Sequence, residues 1–178
     1  MTHQIIIAGF GGQGIMSMGQ LLTYAGMLED KNVSWLPSYG PEMRGGTANC
    51  NVIISNDMVA SPIITEATAV IAMNRPSLEK FENSVVEGGL LLVNSSLIDI
   101  KASRDDIEVC YIRANEIADR LDNSRVANMV MLGAYIAKSS AVSPDSVIDS
   151  LTKVLGSSKA HLVPVNREAL YMGAECVK

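Results

Sequence analysis

The chain has 178 residues, of which 48% are apolar and only 4% aromatic, and its formal net charge is −5 at pH 7. This length and composition are typical of one ordered aliphatic domain, residues 1–178, without a low-complexity linker. The acidic balance disfavours nucleic-acid binding, which usually needs a basic face, and no apolar run is long enough to span a bilayer. The first residues lack the basic and apolar regions of a secretory signal, so we place the chain in the cytoplasm.

Short apolar runs alternate with turn residues along the first two thirds of the chain. The first run, residues 4–8, is rich in isoleucine and typical of a buried parallel strand. Residues 47–55 instead alternate apolar and polar side chains, as a half-buried strand does. Asn56 and Asp57 then predict a turn into a short return strand. In chain order, the predicted strands are residues 4–8, 33–36, 47–55, 58–61, 69–73, 90–93 and 107–112.

Apolar side chains recur at helical spacing between and after these runs. Ser143 before Pro144 is a typical N-cap and first-turn pair, and Gly156 is a typical helix stop. The predicted helices are residues 15–28, 75–86, 115–121, 124–139, 144–155 and 166–176. This alternation predicts an α/β fold: a single layered domain with a mixed, mainly parallel sheet flanked by helices. Its first strand–loop–helix unit is Rossmann-like.

The glycine loop, residues 9–14, is the sharpest local motif. Its Gly-x-Gly-x-x-Gly spacing lies between a predicted strand and a predicted helix, where free amides and the helix dipole favour anions. The acidic residue that a nicotinamide site expects after the second strand is missing, because that region reads Ser34-Trp35-Leu36-Pro37-Ser38. We therefore favour phosphate or cofactor contact over nicotinamide binding and over a purely structural turn. The residues assigned to this contact are Gly9, Gly11, Gly12, Gln13 and Gly14.

A second motif is the loop at residues 38–46, which Gly-Pro and Gly-Gly pairs punctuate. The planar guanidinium of Arg44 suits a phosphate or a carboxylate, although an ordinary surface ion pair is the alternative. If the strands that precede the two loops are parallel neighbours, both loops border one ligand crevice. The candidate positioning residues of this loop are Tyr39, Glu42, Arg44, Gly45 and Gly46.

No other residues group into a site in the sequence. The cysteines, Cys50, Cys110 and Cys176, lack the spacing of a zinc or iron–sulfur site, and we predict that all three are small buried hydrophobes. The histidines, His3 and His161, lie near opposite ends of the chain. We therefore assign no metal site and no catalytic residue to this chain.

The two loops resemble, together, the paired signatures of the gamma subunits of 2-oxoacid:ferredoxin (acceptor) oxidoreductases. They read Gly9-Phe10-Gly11-Gly12-Gln13-Gly14-Ile15 and Tyr39-Gly40-Pro41-Glu42-Met43-Arg44-Gly45-Gly46. The second is most similar to the 2-oxoglutarate or branched-chain type. The similarity continues through Thr47-Ala48-Asn49-Cys50, Ser61-Pro62, Ala72-Met73-Asn74 and Asn128-Met129-Val130-Met131-Leu132-Gly133, and so covers nearly the whole chain.

This resemblance implies one subunit of a complex that oxidatively decarboxylates a 2-oxoacid, with 2-oxoglutarate favoured. Coenzyme A is the co-substrate, and the products are an acyl-CoA, carbon dioxide and reduced ferredoxin. Other subunits are expected to bind the thiamine diphosphate, Mg and iron–sulfur clusters of such a complex, and the isolated chain is expected to be inactive. The two loops would position and shield substrate or cofactor. A free-standing nucleotide-binding dehydrogenase and a purely structural assembly subunit remain as alternatives.

Overall fold

The computed structural model describes residues 1–38 and 47–178. Its six strands are β1 (Thr2–Phe10), β2 (Asn32–Ser38), β3 (Thr47–Ser55), β4 (Ala67–Ala72), β5 (Val85–Asn94) and β6 (Glu108–Ile112). They form one sheet in the order β2-β3-β1-β4-β5-β6. β1, β4, β5 and β6 are parallel, whereas β3 runs antiparallel to its neighbours β1 and β2. The predicted mixed, mainly parallel sheet is therefore confirmed.

Within the described ranges, six α-helices accompany the sheet. They are α1 (Ile15–Leu28), α2 (Arg75–Phe81), α3 (Ala114–Arg120), α4 (Ala127–Ser139), α5 (Pro144–Leu155) and α6 (Val163–Glu175). Short 3-10 turns occur at Glu82–Ser84, Ser124–Val126 and Ser157–Leu162. α1 and α5 lie where the sequence predicts them, and the Ser143 hydroxyl accepts a hydrogen bond from the Ser146 amide at 3.1 Å, as an N-cap does.

Alternation along the strands sends side chains into two separate cores. Ile5 and Ile7 of β1 lie in the larger core, to which α1, α3, α4, α5 and α6 contribute. Ile6 lies on the opposite face of the sheet, in the smaller core that contains Leu78 of α2. Helices thus lie on both faces of the sheet, as predicted. Their numbers are unequal, because α2 lies on one face and the other five described helices lie on the opposite face.

The position of β3 overturns one strand prediction and settles one condition. The return strand predicted at residues 58–61 does not form. β3 already pairs with β1 along one edge and with β2 along the other, so it has no free edge for a returning strand. Because β3 lies between them, β1 and β2 are not neighbours. The two loops were expected to border one crevice if the strands before them were parallel neighbours, and that condition is not met.

The helix predicted at residues 75–86 is also too long. α2 ends at Phe81, and β5 begins at Val85 rather than at residue 90. Val85 pairs with Ala67 of β4 ahead of a register shift. The β-branched residues 85 and 86, which the sequence assigned to the helix, therefore belong to β5, because they pair in the sheet.

α4 and α6 approach each other closely through two glycines. A Cβ atom added to Gly133 of α4 would overlap the carbonyl oxygen of Leu170 in α6. A Cβ atom added to Gly173 of α6 would overlap the carbonyl oxygen of Val130 in α4. The two backbones can therefore lie this close only because neither position carries a side chain.

Glu29 joins the end of α1 to the start of α5. Its carboxylate accepts hydrogen bonds from the Lys31 ammonium at 2.8 Å and from the Ser143 amide at 2.6 Å. Lys31 also donates to the Ala141 carbonyl oxygen at 2.7 Å. Burial alone would raise the pKa of Glu29, but Lys31 and the Ser143 amide outweigh it and lower that pKa from 4.5 to about 2.

Substitution of either crossing glycine should destabilise the chain. Gly133→Ala or Gly173→Ala forces the two helix backbones apart, and overpacking of this kind costs about 1–3 kcal/mol of unfolding free energy. Gly11→Ala is the matched control, because no atom lies within 4 Å of the position of its added Cβ. Urea unfolding monitored by circular dichroism measures all three. Equal midpoints for Gly133→Ala and Gly11→Ala would contradict the close crossing.

The Glu29 cluster should make stability depend on acid pH. The folded-state pKa lies below its ordinary value, so the stabilisation is fully present above pH 4.5 and is lost as the pH falls from 4.5 towards 2. Glu29→Gln should therefore lower stability at pH 7 and bring the two proteins closer together towards pH 2. Urea midpoints across this range provide the test, with the exposed Glu168→Gln as control. A constant difference between wild type and Glu29→Gln at every pH would refute this role.

Candidate functional site

The glycine loop lies where the sheet changes the direction of its connections. β1 and β4 are parallel neighbours. The helix that follows β1 contributes to the larger core, and the helix that follows β4 contributes to the smaller core on the other face. The carboxyl ends of two such strands leave a crevice between their loops, and this is where open α/β sheets bind ligands.

The glycines of this loop divide into two kinds. A Cβ atom on Gly9 would lie 2.6 Å from the Gln13 side chain and 2.9 Å from Met73, and one on Gly14 would overlap Asn128. These two glycines therefore allow close packing. Gly11 and Gly12 are exposed, and no atom of the described residues lies within 4 Å of an added Cβ, so another molecule can approach their backbone.

The start of α1 is open for an anion. Gly14, the N-cap residue, has φ 75° and ψ 22°, and it has no side chain with which to cap the helix. The first turn of this 14-residue helix contains no acidic residue. Among residues 1–38 and 47–178, its first amides therefore have no side-chain acceptor, and they carry the positive end of the helix dipole. A phosphate or carboxylate is the ligand that suits them.

Gln13 fixes the loop to the end of β4. Its Oε1 accepts from the Phe10 amide at 2.6 Å, and its Nε2 donates to the Met73 carbonyl oxygen at 3.3 Å. Asn74, the N-cap of α2, lies 3.5 Å from the same Oε1. One side chain thus bridges the two strand ends that form the crevice. Gln13 thereby holds the shape of the loop, and its assignment to cofactor binding or substrate positioning stays a prediction.

A cavity of about 620 Å³ adjoins Gly12 and Gly14. Arg125 and Lys159 line it, and within residues 1–38 and 47–178 neither forms an ion pair. Asp122 lines it as well, so its charge is mixed with a positive excess. Its apolar wall consists of Leu21, Leu151, Val154, Leu155 and Leu162. This cavity can accommodate a molecule with a phosphate-rich part and an apolar part.

Sequence reasoning missed Arg125 and Lys159. They lie more than 100 residues after the glycine loop, and nothing in their local pattern marks them. A weak signal was the similarity at residues 128–133, because the Asn128 side chain donates to the Gly14 carbonyl oxygen at 3.4 Å. Met73 and Asn74 also contact the glycine loop through Gln13. Two stretches that carry the family resemblance, residues 72–74 and 128–133, thus meet at this loop although they are far apart in sequence.

The second predicted loop lies outside the described residues. The assignments of Tyr39, Glu42, Arg44, Gly45 and Gly46 therefore stay predictions. The residues on either side are described: Ser38 of β2 pairs with Asn49, and the Thr47 backbone pairs with Phe10 of β1. Since β3 is antiparallel to both, β1 and β2 end at the same edge of the sheet although they are not neighbours.

The cysteine prediction holds for only one of the three residues. Cys50 is buried, and burial raises its thiol pKa to about 12. Cys110 is half-buried, and Cys176, which follows the last turn of α6, is exposed. Three strands separate β3, which carries Cys50, from β6, which carries Cys110. In the part of the chain that the structure describes, no three His, Cys, Asp or Glu residues are grouped to hold a metal ion.

A protein-family model described as pyruvate ferredoxin/flavodoxin oxidoreductase matches residues 4–176. The chain belongs to the pyruvate ferredoxin/flavodoxin oxidoreductase family. The match covers nearly every residue that forms the two cores, and it confirms the resemblance drawn from the two loops. Across the described ranges, no helix of this family member has the length and apolar character needed to cross a membrane.

Two curated relatives and one solved structure show how this family member compares. The ketoisovalerate oxidoreductase subunit VorA of Methanothermobacter thermautotrophicus is 36% identical over 172 residues, which are 97% of this chain but only 36% of VorA. The 2-oxoglutarate synthase subunit KorC of Methanocaldococcus jannaschii is 32% identical, over 94% of this chain and 92% of KorC. The gamma subunit of a keto/oxoacid ferredoxin oxidoreductase from Geobacter sulfurreducens superposes with a TM-score of 0.84 at 29% identity, over 98% of both chains. The chain thus spans about a third of VorA but nearly the full length of the other two.

Removal of the Gln13 bridge should loosen the glycine loop. Gln13→Ala removes the acceptor of the Phe10 amide, and because this bond is exposed we expect a loss of about 0.5–1.5 kcal/mol of stability. Local opening at this cost accelerates exchange of the Phe10 amide about two- to tenfold. Hydrogen exchange by NMR measures this rate, with Gln20→Ala on α1 as the control of the same residue type. Equal Phe10 exchange in both variants would show that Gln13 does not hold the loop.

Proposed function

We propose that this chain is the gamma-type subunit of a cytoplasmic 2-oxoacid:ferredoxin oxidoreductase. The complex would convert a 2-oxoacid and coenzyme A to an acyl-CoA and carbon dioxide and reduce ferredoxin. The observation that carries the proposal is the family match over residues 4–176, with the glycine loop at its ligand crevice. Near end-to-end correspondence with KorC, a 2-oxoglutarate synthase subunit, favours 2-oxoglutarate as the 2-oxoacid.

The role that fits this chain best is to hold the phosphates of coenzyme A. Among the residues that the structure describes, none covers the backbone of Gly11 and Gly12, and none caps the start of α1 with its side chain. Arg125 and Lys159 line the adjoining cavity, so backbone amides and two cations surround one space. Coenzyme A carries several phosphates, and its adenine and pantetheine parts suit the apolar wall that α5 contributes.

The second loop would complete the same site. It connects Ser38 to Thr47, and both ends lie at the sheet edge from which the glycine loop emerges. We infer that Arg44 supplies a further guanidinium for a phosphate or carboxylate, supported by Tyr39, Glu42, Gly45 and Gly46. These groups would orient substrate and exclude water, which accelerates a reaction without any proton transfer by this chain.

The redox cofactors of the complex would belong to other subunits. Thiamine diphosphate with Mg supplies carbanion chemistry, and iron–sulfur clusters accept electrons. The described residues of this chain do not fit a cluster, because Cys50 and Cys110 lie on strands that three others separate. No step of the reaction is therefore assigned to a cofactor bound here.

The proposal is tested by reconstitution. The chain is co-expressed with the thiamine- and iron–sulfur-binding subunits of its source, and dye reduction is measured with 2-oxoglutarate, 2-oxoisovalerate or pyruvate, with and without coenzyme A. We expect activity that needs both coenzyme A and this chain, with the highest kcat/KM for 2-oxoglutarate. A chain that instead binds NAD or NADP in isolation, or that assembles without affecting turnover, would refute the proposal in favour of a dehydrogenase or a structural subunit.

Two variants in the same assay test the site. Arg125→Ala removes one charged phosphate contact and should raise KM for coenzyme A about tenfold, with kcat and KM for the 2-oxoacid unchanged within about twofold. Arg44→Ala should lower turnover of the assembled complex. Arg120→Ala, an exposed cation of α3 outside the cavity, is the control. A KM for coenzyme A that Arg125→Ala does not change would exclude Arg125 from the site.

A further inference from the structure

Asn166 is a buried polar residue in the wall of the cavity beside the glycine loop. It lies near the start of α6, and only 8% of its surface is exposed. It lines the same space of about 620 Å³ as Gly12, Gly14 and Arg125, and we call this space the glycine-loop cavity. Buried polar side chains normally have a hydrogen-bond partner for each of their polar groups, so each atom of the Asn166 carboxamide needs an explanation.

The orientation of the Asn166 carboxamide is fixed by the turn that precedes α6. Its Nδ2 donates a hydrogen bond to the Leu162 carbonyl oxygen at 2.7 Å. A carbonyl oxygen can only accept a hydrogen bond, so the nitrogen of the carboxamide must be the atom that faces Leu162. The oxygen, Oδ1, therefore lies on the other side of the carboxamide.

The Oδ1 atom of Asn166 has no donor among the residues that the structure describes. Two other asparagines line the cavity, and their oxygens are used. Oδ1 of Asn123 accepts from the Arg125 amide at 3.2 Å, and Oδ1 of Asn128 accepts from the adjacent backbone amide at 2.9 Å. Asn166 Oδ1 is also not one of the fully enclosed side-chain atoms that lack a partner within residues 1–38 and 47–178. It is therefore accessible from the cavity, where a bound molecule can reach it.

An acceptor in this wall selects the part of a ligand that it meets. Phosphate oxygens accept hydrogen bonds themselves, so they gain nothing from Asn166 Oδ1, whereas the cations Arg125 and Lys159 attract them. Oδ1 instead suits a group that donates a hydrogen bond. Leu162, whose carbonyl oxygen orients Asn166, also belongs to the apolar wall of the cavity. The cavity thus combines one free acceptor with an aliphatic surface.

An adenine ring has the two properties that this wall requires. Its flat faces pack against apolar side chains, here Val154, Leu155 and Leu162, and its amino group donates hydrogen bonds at the edge of the ring. The pantetheine part of coenzyme A also contains N–H donors. It is a flexible chain, however, so its immobilisation costs more conformational entropy than that of a rigid ring. The adenine amino group is therefore the donor that fits Asn166 best.

We propose that Asn166 is a specificity-determining residue, whose Oδ1 accepts a hydrogen bond from the amino group of the adenine of coenzyme A. This inference rests on the proposed function, which assigns coenzyme A to this cavity, and it adds how the base is recognised. Hypoxanthine has an oxo group where adenine has the amino group. That oxo group would present a second acceptor to Oδ1, so the site would disfavour it.

The test uses the reconstituted complex with two acyl acceptors, coenzyme A and its analogue with hypoxanthine in place of adenine. Asn166→Leu removes Oδ1 and keeps a side chain of similar size that is compatible with a helix. Asn32→Leu is the matched control, because Asn32 also donates from Nδ2 to a backbone carbonyl, that of Asn56 at 3.3 Å, and does not line the cavity. Dye reduction gives kcat and KM for both acceptors, and thermal unfolding is measured for each variant.

We expect the wild-type complex to prefer coenzyme A over the hypoxanthine analogue about tenfold or more in kcat/KM. Asn166→Leu should raise KM for coenzyme A about tenfold and change KM for the analogue by less than about twofold, so that the preference disappears. The values of kcat and of KM for the 2-oxoacid should stay within about twofold of wild type. Asn32→Leu should keep the wild-type preference.

Equal kcat/KM values for the two acceptors in the wild-type complex would overturn this inference, and that measurement needs no variant to fold. A rise in KM that Asn166→Leu causes equally for both acceptors would overturn it too, because a contact with pantetheine or a distorted cavity would then be responsible. A complex without coenzyme A-dependent activity would refute the proposed function. An active complex that does not distinguish the two bases would refute this inference alone.

Discussion

The position of β1 in the sheet is the constraint on which the other features depend. β1 pairs antiparallel with β3 on one side and parallel with β4 on the other. The alternating side chains of β1 contribute to both cores, so neither layer can form without it. Its carboxyl end opens into the crevice where the glycine loop lies, and Gln13 closes that loop onto the end of β4. The ligand site is thus a product of strand order as much as of the glycine motif.

Local chemistry made part of this fold predictable. The starts of α1 and α5 were predictable because each follows a residue with a definite backbone role: Gly14, which adopts a left-handed conformation, and Ser143, which caps α5. The predictions failed where distant pairing decides the structure. Residues 58–61 have the composition of a strand but no free edge to join, and Val85 leaves its helical pattern to pair with Ala67. Neither competing partner is visible in a short window of sequence.

The candidate site divides in the same way. Gly11 and Gly12 could be assigned from their spacing because a bare backbone at a helix start is a local property. Arg125 and Lys159 could not, since only the packing of α4 and α5 against α1 brings these cations to the cavity. Gln13 could be assigned to the loop from its place in the motif, but its contacts with Phe10, Met73 and Asn74 come from segments that no short window of sequence brings together. A side chain that organises a loop cannot be distinguished by sequence from one that contacts the ligand.

The close crossing of α4 and α6 determines the shape of a surface groove as well as the packing of the two helices. A groove of about 760 Å³ lies between α4, α6 and the segment that leads into α5, and two of its lining residues are Gly133 and Leu170, which meet at this crossing. The width of the groove is therefore set by backbone against backbone, which cannot adjust by rotamer changes as side-chain contacts do. Such a surface is preorganised: it loses little conformational entropy when a partner binds, so more of the apolar contact energy remains as affinity. The lack of side chains at Gly133 and Gly173 thus gives the groove between α4 and α6 a fixed shape.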